Sequence, residues 1–254
     1  MGFWYYGVMK IEYSQDELDG ILTTVSSRIG WNFSVMKTLR QPVPWDYTNV
    51  VSEYLTQKDS VLDVGTGGGE RFIELAPYFG AGLGVDIDPV MIETAKQNAK
   101  DVKNIEFTES DASLGNISQK FNVIVNRHCA LDLIAIKEHL APGGYFITQQ
   151  VGEKNMNNIK IVLNQQVQKP TITKSDIETS GLRLVSFCEY DVEYVVKDIE
   201  SLVFWLKALD MLHADLSGAE AISDVNILNE ILKGNVDDRG FVTNEHRYLV
   251  VAQA

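Results

Sequence analysis

The stretch VLDVGTGGGE, residues 61–70, decides how this chain is read. A buried-looking apolar run, Val61 to Val64, breaks at Gly65 into a turn that also holds Thr66, Gly67, Gly68 and Gly69, and a helical pattern opens at Glu70. Glycines there let the backbone turn sharply and approach a ligand without a Cβ in the way, while N–H groups at the helix start face it. Further on, Asp86 ends the next apolar run in GVDIDP. An acid about 20 residues beyond such a loop suits a pair of ribose hydroxyls. Loop, acid and strand–helix context together point to a ligand that contains a nucleoside.

Outward from the loop, short apolar runs alternate with helical segments. The strand-like runs are SVLDVG, AGLGVDI, NIEFTES, FNVIVNRH and YFITQQV, with ERFIELAPYF and PVMIETAKQNAK between the early ones. This alternation predicts an open, mostly parallel α/β sheet with helices on both faces. LRLVSFCEYDVEYVV and HRYLVVAQA add two later strands, and DIESLVFWLKALDML and ISDVNILNEILKG lie between them as helices. Before the sheet, Ser14 and Glu17 form a capping box for a helix with apolar residues from Leu18 to Ile29 and a stop at Gly30. A second helix is predicted from Asp46, after the prolines of QPVPW. The domain reading is an N-terminal helical cap over 1–47 and a sheet domain over 48–254, with a helical insertion at about 199–244.

Composition narrows the function. The 254 residues carry 35 Asp and Glu against 22 Lys and Arg, a net charge of −13. So acidic a chain is repelled by phosphate backbones and anionic lipids, which disfavours nucleic acid and membrane as partners. Cys129 and Cys188, in apolar runs, match no zinc or redox spacing and are expected as buried free thiols. No secretory pattern or long apolar span is seen, so a reduced, cytoplasmic protein is expected. Oligomeric state is not readable.

The loop discriminates between nucleoside ligands. A dinucleotide fingerprint wants a small residue at its third place, where this chain has Glu70, an acid close to a pyrophosphate. The run instead reads D-x-G-x-G-x-G, with Asp63 upstream of Gly65, Gly67 and Gly69. An upstream acid suits a cationic ligand without phosphate, as S-adenosyl-L-methionine is. Together with SDASLGN, LAPGG and HRYLVVAQA, these motifs resemble the class I S-adenosylmethionine-dependent methyltransferase family, motif by motif from Asp46 to Val151. The resemblance implies a Rossmann-like sheet of seven strands with an antiparallel last strand, and in-line methyl transfer. It implies that Gly65, Thr66 and Gly67 approach the methionine part and that Asp63 supports the loop. Asp86 would bind the ribose, Ile87 flank the adenine, Asp111 and Ala112 meet its amino edge, and Asn126 border the methionyl end.

Acceptor chemistry is sought at the carboxyl ends of the strands. Asn126, Arg127 and His128 follow the fourth strand, and Thr148, Gln149 and Gln150 the fifth. His128 is a candidate general base and Arg127 a candidate holder of an acidic group, each with a purely structural alternative. Trp31, Phe33, Trp45, Tyr47, Phe204 and Trp205 are candidate wall residues, with core packing as the alternative. The Asn/Asp-Pro-Pro-aromatic tetrad of amine methylation on bases is absent, since the chain reads NRHC. The expected activity is methyl transfer to a small-molecule substrate. The alternatives are an RNA or protein methyltransferase of the same fold, a nicotinamide-dependent oxidoreductase, and a cofactor sensor.

Overall fold

The computed structural model of the protein describes residues 9–25, 33–165, 171–212 and 219–254, with side chains from residue 224 in the last stretch. In chain order its strands are β1 (Thr38–Arg40), β2 (Ser60–Val64), β3 (Ala81–Asp86), β4 (Ile105–Glu109), β5 (Phe121–Arg127), β6 (Leu140–Val151), β7 (Arg183–Val196), β8 (Val236–Asp237) and β9 (Gly240–Gln253). The helices are α1 (Gln15–Thr24), α2 (Tyr47–Ser52), α3 (Glu70–Leu75), α4 (Pro89–Asn98), α5 (Leu133–His139), α6 (Asn157–Val162), α7 (Lys174–Ser180), α8 (Ile199–Ala208) and α9 (Ala219–Leu232).

The chain divides into two compact units. The larger holds the described residues of Val43–Glu153, Lys169–Tyr190 and Arg247–Ala254. Its strands run in the order β4-β3-β2-β5-β6-β9-β7. The pairs β3/β4, β2/β3, β2/β5 and β5/β6 are parallel, and β9 is antiparallel to β6. The parallel sheet and the antiparallel final strand are therefore as expected. Alternation along the central strands explains why helices cover both faces. Val61, Val123, Val125 and Ile147 point to the side where α2, α3 and α4 bury Val51, Phe72, Leu75 and Ile92. Their neighbours Leu62, Ile124 and Phe146 point to the other, against Ala135 and Ile136 of α5 and Ile177 of α7. Phe146 and Ile147 are both fully buried, and each such side chain contributes about 1.5–3 kcal/mol by leaving water.

The smaller unit gathers the described residues of Met1–Pro42, Lys154–Gln168 and Asp191–His246. Ser14 caps α1 through the foreseen capping box with Glu17. Leu18 and Leu22 of α1 pack with Leu202, Val203 and Leu206 of α8 and with Leu228 and Ile231 of α9. Thr38–Arg40 pairs antiparallel with Tyr194–Val196, and β8 with the start of β9.

Several expectations are corrected. Counting β1 and β8, the described residues form nine strands rather than seven; both extra strands are too short for a readable alternation. Helix α1 ends at Thr24, where Val25 turns extended; Ile29, Gly30 and Trp31 lie outside the described residues. Cys188 is exposed, while Phe187 beside it packs against the core. Among the described residues no helix is long and apolar enough to cross a membrane.

Candidate cofactor and acceptor site

The glycine loop leaves β2 with Gly65, Gly67 and Gly69 all at positive φ, 75°, 56° and 77°. Four N–H groups of the loop are engaged by the protein itself. Gly65 and Thr66 donate to the Val85 carbonyl at 2.8 and 2.9 Å, and Gly69 to that of Thr66 at 3.0 Å. Gly67 donates to Oδ2 of Asp86 at 2.8 Å. Oδ1 of Asp86 accepts from the Asp88 N–H at 3.0 Å. Asp86, half-buried at the end of β3, thus clamps the loop to the next strand end and still has lone pairs for a pair of hydroxyls. Ile87 beside it is 70% exposed, an apolar face open to an aromatic base. Asp88 is the N-cap of α4, accepting from the Val90 N–H.

Asp63 lies buried in β2 beneath the loop. Burial pushes its carboxyl up to about 7, the Asp86 charge adding to this against the Thr66 side chain and the Arg127 guanidinium. Such an acid is favoured in its ionised form by an incoming cation. At Gly65 an added Cβ would stand 2.1 Å from Sγ of Cys129. The thiol reaches the Val64 carbonyl at 3.2 Å, and burial pushes it up to about 12, so it sits there as a neutral packing group.

Two of the residues expected at the cofactor are already engaged by the protein. Asp111 is exposed, and its Oδ1 accepts from the Ser113 N–H at 2.9 Å, which with the Ser113 hydroxyl holds it below the ordinary carboxylate range. Its other oxygen is the one suited to an amino edge, and Ala112 is half-buried next to it. Asn126 is fully buried. Its amide donates to the Val64 carbonyl at 3.1 Å and to Sγ of Cys129 at 2.8 Å, while its oxygen accepts from Thr148 and Gln150. With its amide so committed, Asn126 knots β2, β5 and β6 together.

The ends of β5 and β6 bring the acceptor-side candidates together. Arg127 lies over the Tyr47 ring, 5.8 Å from its centroid, and Tyr47 donates to the Asn126 carbonyl at 3.3 Å. His128 has φ 56°, and its N–H donates to the Gln149 carbonyl at 2.9 Å. Nε2 of His128 lies 3.1 Å from Nε2 of Gln149, and Oε1 of Gln149 accepts from the Trp45 indole at 2.9 Å. Trp45 in turn packs on Tyr190, ring centroids 4.7 Å apart. Burial and the positive charges of Arg127, Arg247 and Arg71 hold the His128 imidazole well below its ordinary pKa. An imidazole that weakly basic, with one nitrogen already accepting, is a poor proton acceptor at Nε2. Phe33, Phe204 and Trp205 belong to the smaller unit, where Phe33 meets Phe204 edge-on at 6.0 Å and Trp205 meets Tyr194 at 5.4 Å.

Sequence reasoning singled out Trp45 and Gln149 separately but not their contact, and it passed over Tyr190. No spacing rule joins residues 104 positions apart. The only signal was that both are polar-tipped groups at elements opening onto the same strand ends.

Comparison with known proteins is consistent with this architecture. The family described as Methyltransferase domain matches residues 55–190, more than half of the chain. Ribosomal protein L11 methyltransferase of Dictyoglomus thermophilum is 35% identical over 129 residues, covering 44% of this chain and 42% of that protein. The chain thus spans less than half the length of this curated relative. A functionally unknown protein from Deinococcus radiodurans shares the fold with a TM-score of 0.59 and 17% identity, over 85% of this chain and 90% of that one. A putative methyltransferase from Bacillus halodurans does so with a TM-score of 0.58 and 16% identity, over 82% and 98%. The chain belongs to the methyltransferase domain family, as its glycine loop and strand-end acid led one to expect.

Proposed function

We propose that this methyltransferase-family chain moves a methyl group from S-adenosyl-L-methionine to a small-molecule acceptor. The carrying observation is the clamp in which Asp86 holds the Gly67 N–H and keeps lone pairs free beside the exposed face of Ile87. Those groups suit a ribose and an adenine. Gly65 and Gly67 give the close backbone approach a methionyl chain needs, and the buried Asp63 suits a cationic ligand. When bound, the cofactor supplies an electrophilic methyl group on a sulfonium. The protein's own part is then mainly to hold and orient. Arg127 is suited to an anionic group of the acceptor, and the row of Trp45, Gln149 and His128 to a polar one.

Two features favour a protein acceptor as the second reading: the relatives named ribosomal protein L11 methyltransferase, and a net charge of −13 that attracts basic polypeptides. Calorimetry with S-adenosylmethionine, S-adenosylhomocysteine and NAD tests the cofactor; binding of NAD alone would refute the proposal. Incubation of the enzyme and methyl-labelled cofactor with a cell extract then separates the acceptors. Label in the small-molecule fraction supports the first reading, and label in protein replaces it with the second.

A further inference from the structure

We infer that Trp45 and Gln149 position His128 as a neutral imidazole protonated at Nδ1, so that His128 meets the methyl acceptor as a hydrogen-bond donor and takes no proton from it. The tautomer stands on geometry alone; the donor role rests on the proposed methyl transfer.

The argument runs through donor capacity. An indole N–H only donates, so the Gln149 atom 2.9 Å from it must be the amide oxygen. The opposite end of the amide is then NH2, which also only donates, and it faces Nε2 of His128 at 3.1 Å. A ring nitrogen that accepts carries no proton, and the neutral ring must bear its hydrogen at Nδ1. Trp45 thereby sets the state of His128 through Gln149. The same Gln149 also holds the His128 main chain, accepting its N–H at 2.9 Å. That second tie matters because φ is 56° at His128, a left-handed conformation that a non-glycine residue adopts only at an energetic cost. A strained residue persists where its surroundings over-determine it, and such residues gather at functional sites.

The charges around the ring agree. Arg127 from β5, Arg247 from β9 and Arg71 from α3 all oppose an imidazolium. Nδ1 has no hydrogen-bond partner among the described residues, so its proton is the group left for a ligand. The acceptor molecule that fits carries an oxygen or nitrogen lone pair beside the atom to be methylated.

The test begins with two-bond proton–nitrogen spectra of the four histidines in nitrogen-15-labelled protein, with His128 assigned by its loss in H128N. Asparagine tolerates left-handed backbone and places an N–H close to that of Nδ1. The expected wild-type signal is protonated Nδ1, bare Nε2, and no titration between about pH 5.5 and 8. A bare Nδ1 with protonated Nε2, or titration near 6.5, would overturn the inference. Gln149→Glu should put a carboxylate on Nε2, invert the tautomer and bring the titration into that window. Trp45→Phe should free the amide to turn and mix the tautomers; unmoved ring signals in both variants would refute the positioning role. In the labelled-extract assay, H128N should keep transfer within about tenfold, and H128F should lose about 100-fold or more, as removal of an oriented donor does. Full transfer by H128F would remove the donor role. The spectra need neither cofactor nor acceptor, so their failure is distinct from a failure to bind S-adenosylmethionine.

Discussion

Gly65→Ala tests whether the loop and the Cys129 side chain share one tightly filled space. Gly65 sits at φ 75°, and a new Cβ would lie 2.1 Å from Cys129 Sγ and 2.9 Å from its Cβ. The left-handed backbone alone costs alanine about 1–2 kcal/mol. Overfilling a packed site costs about 1–3 kcal/mol more. The single variant should therefore lose about 2–5 kcal/mol. Cys129→Ala gives up the thiol's contacts with Val64 and Asn126, a loss of about 1 kcal/mol. In the double variant the overlap with sulfur is gone, the 2.9 Å contact remains, and the backbone cost is untouched. The two substitutions should thus couple favourably by about 1–2 kcal/mol. Urea unfolding of the four proteins measures that coupling. Additivity within about 0.5 kcal/mol would show that the loop moves freely away from Cys129, and the account of Gly65 would be wrong.

Two further outcomes concern the acids. Asp86→Ala removes the acceptor of the Gly67 and Asp88 N–H groups, and S-adenosylmethionine affinity in calorimetry should fall about tenfold to a hundredfold while the fold survives; unchanged affinity would mean the ribose lies elsewhere. Asp63, pushed from 3.8 up to about 7 by burial, keeps its proton where the unfolded chain has already lost one. Its contribution to stability therefore falls as pH rises from about 4 to about 7 and is level above, a slope that Asp63→Asn should abolish in urea titrations. At 1.36 kcal/mol per pH unit that span bounds the effect near 4 kcal/mol. A cation bound nearby should drive the proton off, so the binding heat near pH 6.5 should vary with the buffer's ionisation enthalpy in the wild type and not in Asp63→Asn.

What the sequence made legible was whatever is local. The loop, the alternation of strands and helices, and the capping box of Ser14 and Glu17 each depend on residues within a few positions of one another. Less legible was whatever depends on distant pairing. Asn126 looks like any polar residue at a strand end until Thr148 and Gln150 are seen to use up its oxygen. Trp45 gains its meaning only through Gln149. The smaller unit draws on three separated segments, so no composition shift marks its edges. Cys188 sits among apolar neighbours in sequence, yet in the fold it is exposed.

The order of the sheet also sets an order in time. Residues 145–151 of β6 find their antiparallel partner in residues 247–253. A ribosome must therefore make about 100 further residues before that edge is covered, roughly 5–20 seconds at ordinary rates of synthesis. Through that interval the newborn chain carries an apolar strand with unpaired backbone groups, open to pairing with a neighbour. Yield in the cell should thus hinge on β9 more than on the glycine loop, and a chaperone that guards exposed strands would find its client here.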